Sequence, residues 1–163
     1  MLHHISFGVT NLERSAAFYD ATLSALGYVR VWADDTAVGY GYPGGDDKLA
    51  IKLQSLQAPP PGPGFHLAFS APSREAVALF HAEALRNGGT DNGAPGLRPD
   101  YGDNYYAAFV VDPDGYRVEA VINARLLEIV AATPFLASAR ATLEPRPPAP
   151  MMPTLVVVMP SDE

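Results

Sequence analysis

The chain has 163 residues, 48% of them hydrophobic, no cysteine, and a net charge of -7 with its histidines neutral. The apolar content fills one soluble domain, and the acidic balance argues against a nucleic-acid or anionic-membrane partner, either of which calls for a basic face. Without cysteine there is no disulfide framework and no thiolate nucleophile, so any metal has to rest on His, Asp or Glu.

Residues 2–9 read as a strand, and "TNLE" at Thr10 to Glu13 reads as a capping box, Thr10 accepting from first-turn amides and Glu13 reaching back. A helix is predicted to follow, because Leu12, Ala16, Tyr19, Leu23 and Leu26 recur at helical spacing and Gly27 stands where a left-handed cap is wanted. Three β-rich segments come next, "YVRVWA", "AVGYGY" and "KLAIKLQ", separated by Asp-Asp and by "PGGDD". The Pro/Gly stretch "QAPPPGPG", residues 57–64, then continues neither kind of element.

Beyond the linker the chain repeats itself. A shift of 62 residues lays "HISFGVTNLERSAAFYDATLSALGY" over "HLAFSAPSREAVALFHAEALRNGGT" without a gap, with seven identities: His4 on His66, Phe7 on Phe69, Glu13 on Glu75, Ala16 on Ala78, Phe18 on Phe80, Leu23 on Leu85 and Gly27 on Gly89. The second copy ends in "YYAAFVV", the turn "DPDG" and "YRVEAVI", a hairpin matching the end of the first copy. The expected divisions are a first module over 1–56, the linker over 57–64, a second module over 65–124 and an extension over 125–163. The extension reads as helical from "NARLL", interrupted at Pro134, then proline-rich, then apolar at "TLVVV". A Val-rich run left exposed invites aggregation, so Leu155 to Val158 is expected to pack on the domain or a second subunit, or to occupy a ligand cup. The N-terminus lacks a secretory leader pattern and no apolar run reaches the roughly 20 residues of a spanning helix. A cytoplasmic protein with a small-molecule ligand, no nucleic acid and no membrane is expected.

Alternation in the first strand puts His3, Ile5, Phe7 and Val9 on an oily face and Leu2, His4, Ser6 and Gly8 on the other. The second copy sets Phe65, Leu67 and Phe69 against His66, Ala68 and Ser70 in the same way. At the module ends, Lys52 stands opposite in parity to Leu49, Ile51 and Leu53, and Arg117 and Glu119 opposite to Tyr116, Val118, Ala120 and Ile122, which makes Lys52 and Glu119 the next matched pair. Packed about a pseudo-twofold axis, His4, His66 and Glu119 would converge as two imidazoles and a carboxylate, a set suited to a divalent Fe, Mn, Ni, Co or Zn with open positions. The plain alternative is that both histidines are ordinary strand residues and Glu119 an ion-pair partner.

The segments "LHHISFGVTNLERSAAFY", "FHLAFSAPSREAV" and "YYAAFVVDPDGYRVEAV" together resemble the vicinal oxygen chelate superfamily, which groups glyoxalase I, extradiol dioxygenases, fosfomycin-resistance enzymes and bleomycin-binding proteins. The resemblance covers residues 1 to about 124 and implies an α+β fold, two βαβββ modules forming one cup-shaped mixed sheet, here with a C-terminal extension. It implies metal-ligand positions at His4, Lys52, His66 and Glu119, with Lys52 departing from the carboxylate of relatives such as glyoxalase I. The implied function is a lyase-type or dioxygenase-type metalloenzyme, a homodimer that chelates its substrate through adjacent oxygens. The alternative is a metal-free drug- or antibiotic-binding protein, favoured by a buried Lys52 to Glu119 ion pair and disfavoured by a Lys52 turned away. Lys52, Arg98 and Tyr105 are the candidate substrate contacts; Tyr106, Tyr40 and Trp32 are aromatics of the strands, and His3 and His81 read as structural or surface residues.

Overall fold

Two strand-helix-strand-strand-strand modules follow one another in the computed structural model, which describes residues 2–54 and 60–123. The first contains β1 (Ile5–Val9), α1 (Leu12–Ser24), β2 (Val29–Ala33), β3 (Ala37–Gly41) and β4 (Asp47–Leu53); the second contains β5 (Leu67–Ser70), α2 (Arg74–Arg86), β6 (Thr90–Leu97), β7 (Tyr106–Val111) and β8 (Arg117–Ile122). Each builds its own four-stranded mixed sheet, in the orders β1-β4-β3-β2 and β5-β8-β7-β6. The parallel contact in each sheet is the one between its first and last strands, made possible by the intervening helix and meander.

The sequence repeat is a structural one. The helices begin at residues 12 and 74 and end at 24 and 86, and their N-caps, Asn11 and Ser73, keep the same spacing. The Asn11 side chain accepts from the Arg14 amide at 3.0 Å, and Ser73 Oγ from the Ala76 amide at 3.1 Å. Asn11, rather than the expected Thr10, is therefore the cap of α1. Thr10 is drawn elsewhere: its amide and its hydroxyl both donate to Asp114 Oδ1, at 3.0 and 2.7 Å. A tertiary carboxylate has outcompeted the local capping box.

Helix α1 ends as expected through Gly27, whose φ of +85° only glycine adopts without cost. In the second module the positive φ falls one residue earlier in the repeat, on Gly88, and Gly89 serves close packing instead. A Cβ on Gly89 would lie 2.7 Å from Phe18 Cε2, 2.9 Å from the Ala84 carbonyl oxygen and 3.1 Å from that of Val111.

The oily faces of both modules meet in one core. It joins Phe7, Val9, Phe18, Tyr19 and Leu23 with Val77, Phe80, Val110, Val118 and Ala120. The rings of Phe7 and Tyr116 stack at 4.2 Å across the module boundary, and Tyr116 donates its hydroxyl proton to the Gly8 carbonyl at 2.9 Å. The "DPDG" turn does more than close a hairpin. Asp112 is buried and accepts from the Tyr19 hydroxyl at 2.7 Å as well as from the Asp114 and Tyr116 amides. Asp114 accepts from Thr10, from Arg14 at 2.7 Å and from Ser15 Oγ at 2.5 Å.

Strand β6 is a departure from the sequence reading. "TDNGAPGL" carries Gly, Pro and Asn and no alternation, and Arg98 reads as a loop residue, yet the segment pairs with β7 as an edge strand whose register shifts twice, at Asp91/Gly93 and Gly93/Gly96. An edge position tolerates proline and bulges because only one side of the ladder must be satisfied. The expected helix, proline-rich stretch and apolar run of the extension, and residues 57–59 of the expected linker, lie outside the described residues. Among the described residues no helix is long and apolar enough to cross a membrane.

Candidate functional site

Glu119 lies on β8 opposite Phe109 in the β7 ladder and beside Ala68 of β5, and it has no solvent exposure. A carboxylate so placed has to be held by donors. Tyr105, just before β7, donates its hydroxyl proton to Glu119 Oε1 at 2.6 Å. Burial, reinforced by that hydrogen bond, pushes the Tyr105 hydroxyl up to about 12, so it remains a donor at neutral pH. The other oxygen, Oε2, lies 3.1 Å from His66 Nε2 but receives no well-aligned hydrogen bond from any group among the described residues. His66 immediately precedes β5, with half of its side chain open to solvent. One ring nitrogen and one carboxylate oxygen thus face each other at the base of an open site.

His66, the exposed member of the pair, opens into a cleft of about 600 Å³ that is also lined by Gly93, Arg98, Tyr101, Phe109 and Arg117, among others. Its size falls within the usual small-molecule range of roughly 300–1,000 Å³. Phe109 meets His66 edge-on at 6.4 Å, and the Arg98 guanidinium lies over the Phe109 ring at 5.4 Å. Four of the candidates from sequence, His66, Glu119, Arg98 and Tyr105, therefore gather on the second module.

The other two do not join them. His4 is exposed ahead of β1, its ring against that of His3, and no group of three His, Asp, Glu or Cys side chains forms among the described residues. The parity expected for β1 is right, since Phe7 and Val9 enter the core, but the faces bearing His4 and Glu119 are those turned away from the core the modules share. Lys52 is exposed and makes no ion pair with Glu119. Its match with Glu119 is corrected by the register. Ile5 pairs with Leu49 as Leu67 pairs with Val118, so the counterpart of Glu119 is Ala50, which is buried. Lys52 corresponds to Val121, one pleat further along, and the supposed loss of a ligand at Lys52 concerns a different position in the sheet.

The remaining candidates settle into structural places. Tyr40 is buried and donates to the Ala16 carbonyl at 3.2 Å, Tyr106 carries the Arg74 guanidinium on its ring, and the Trp32 indole lies against Gly39. His81 Nε2 is 2.8 Å from Asp91 Oδ1, and that hydrogen bond holds the Asp91 carboxyl below its usual range. The sequence reading missed Phe109, Tyr101 and Arg117 as cleft residues. Arg117 had a visible signal, its parity with Glu119 in "YRVEAVI"; Tyr101 had none.

The family model described as Glyoxalase/Bleomycin resistance protein/Dioxygenase superfamily matches residues 1–120. The chain belongs to this superfamily. A glyoxalase/bleomycin resistance protein from Albidiferax ferrireducens T118 is 35% identical to it over 74% of this chain and 97% of that one, with a TM-score of 0.64. A glyoxalase-related enzyme from Fulvimarina pelagi, 23% identical, shares the fold with a TM-score of 0.60 over 76% of this chain and 88% of its own. No protein of curated function matches. For this superfamily member, the two-module architecture expected from the repeat is the family fold.

Proposed function

We propose that the protein is a small-molecule metalloenzyme of the glyoxalase or dioxygenase type, in which His66 and Glu119 hold a divalent ion together with His4 of a second copy of the chain. What supports this reading most is the Glu119 carboxylate: buried, fixed through one oxygen by Tyr105, and with its other oxygen lacking an aligned donor 3.1 Å from an imidazole nitrogen. An imidazole and a carboxylate fit Fe, Mn, Ni, Co or Zn, and a hydrogen-bonded second oxygen is the usual support of a ligating carboxylate. Such an ion supplies Lewis-acid polarisation of adjacent substrate oxygens. The protein's own groups orient the ligand: Tyr105 keeps Glu119 in place, and Phe109 walls the cleft. His4 holds the place in the first module that His66 holds in the second, on an exposed face, so a twofold partner brings it to the open side of the site.

Elemental analysis of protein purified without chelator or affinity metal tests this. About one divalent ion per chain is expected, lost in His66→Ala, Glu119→Ala and His4→Ala. Co-expressing His4→Ala with Glu119→Ala chains should restore about a quarter of the wild-type content, since half the dimers are then mixed and each has one intact site. Wild-type protein that takes up none of Fe, Mn, Ni, Co or Zn overturns the reading in favour of the metal-free binding protein. No recovery on co-expression overturns the shared site.

A further inference from the structure

We infer that Arg98 and Arg117 form an oxyanion-binding arm of this cleft, and hence that the ligand is a small organic acid or phosphate ester; the inference rests on the reading that the cleft over His66 and Glu119 is the functional site. Both side chains line it and both are only partly exposed. Neither has a carboxylate within ion-pair distance among the described residues, although the chain carries 18 acidic residues against 11 basic ones. In a protein with a surplus of carboxylates, two arginines without one, in a single concave site, are a standing attraction for an anion.

Arg98 is also held for the purpose. Its guanidinium rests on the Phe109 ring, and Nη2 donates to the Ala94 carbonyl at 2.6 Å. The contact of Nη1 with the Leu97 carbonyl is long, at 3.5 Å. A guanidinium has five N–H donors in a planar fork, so most of the fork is left for a carboxylate or phosphate. Two glycines flank the side chain: a Cβ on Gly93 would stand 3.4 Å from Arg98 Nη2, and one on Gly96 3.2 Å from Nη1. Through Phe109, which also meets His66, Arg98 is one aromatic ring away from the His66 and Glu119 pair. The acidic groups nearby are Asp100 in the lining and Glu119 at the base, and neither is paired with Arg98 or Arg117.

The test is calorimetric titration of the chelator-treated full chain with benzoate, phenyl phosphate and the uncharged benzyl alcohol. Saturable binding of at least one anion and none of the alcohol is expected, with the tighter anion separating a carboxylate from a phosphate ligand. Arg98→Gln and Arg117→Gln should each weaken binding by about tenfold or more, Arg98→Lys by less, and Lys48→Gln, which removes an exposed positive charge on β4 of the first module, not at all. Because the titration is run without metal, it succeeds or fails independently of the metal site. Anions that bind no better than benzyl alcohol, or binding that survives either glutamine substitution, overturn the arm.

Discussion

Replacing Asp114 by alanine should be among the most damaging single changes outside the apolar core. Its side chain is only 3% exposed, and it ties the β7–β8 turn of one module to the start of α1 in the other. It accepts from the Thr10 amide, the Thr10 hydroxyl, Arg14 Nη2 and Ser15 Oγ. Hydrogen bonds to a charged group contribute about 1.5–3 kcal/mol each in mutational series, but the four here are not additive. Arg14 is 44% exposed and recovers water when the partner goes, so its share is discounted to under about 1 kcal/mol. Ser15 is fully buried and does not recover it. Counting the Ser15 and Thr10 amide bonds fully and the others little gives a loss of about 3–4 kcal/mol. Urea denaturation with the slope unchanged is the assay. Arg14→Ala should cost less than about 1 kcal/mol in the same experiment. An Asp114→Ala loss no larger than that of Arg14→Ala would sink this account, since it would mean that the modules are held by the Phe7–Tyr116 core alone.

The same carboxylate makes a pH prediction. Burial opposes ionisation of Asp114, but the donations from Ser15, Thr10 and Arg14 outweigh it and hold its carboxyl below the usual range. A depressed folded-state value means that the contribution is complete above the unfolded value of about 3.9 and is lost as pH falls through the folded one. The stability gap between wild type and Asp114→Asn should therefore be flat from neutral pH to about 5 and close below about 4, as followed by urea midpoints; Asp112, pushed up chiefly by burial, acts with the opposite sign. Gly89→Ala drives a Cβ against two backbone oxygens, and a loss of about 2 kcal/mol in thermal or urea unfolding is expected. Tyr105→Phe leaves Glu119 Oε1 without its donor, and on the proposed function it should lower divalent-metal affinity about 10–100-fold in a competition titration with a chromophoric chelator.

Two things were legible in the residues before any packing was known, the module and the face. The shift of 62 residues predicted two helices that begin and end at matching places, and strand parity assigned Phe7 and Val9 to the core and Glu119 to the opposite face. These are short-range properties, written in periods of 3.6 and 2. Alternation, however, repeats every two residues, so it cannot distinguish Ala50 from Lys52; both lie on the same face, and only the parallel pairing of β1 with β4 set Ala50 level with Glu119. The same limit applies to Thr10, whose capping signature is local while the carboxylate that claims it is 104 residues away. Which candidates meet was likewise settled by packing. His66, Glu119, Tyr105 and Arg98 lie on neighbouring strands and loops of one sheet and came together; His4 belongs to the other sheet, and packing the two oily faces into one core turned it away, because burying apolar surface outweighs any attraction between exposed polar groups.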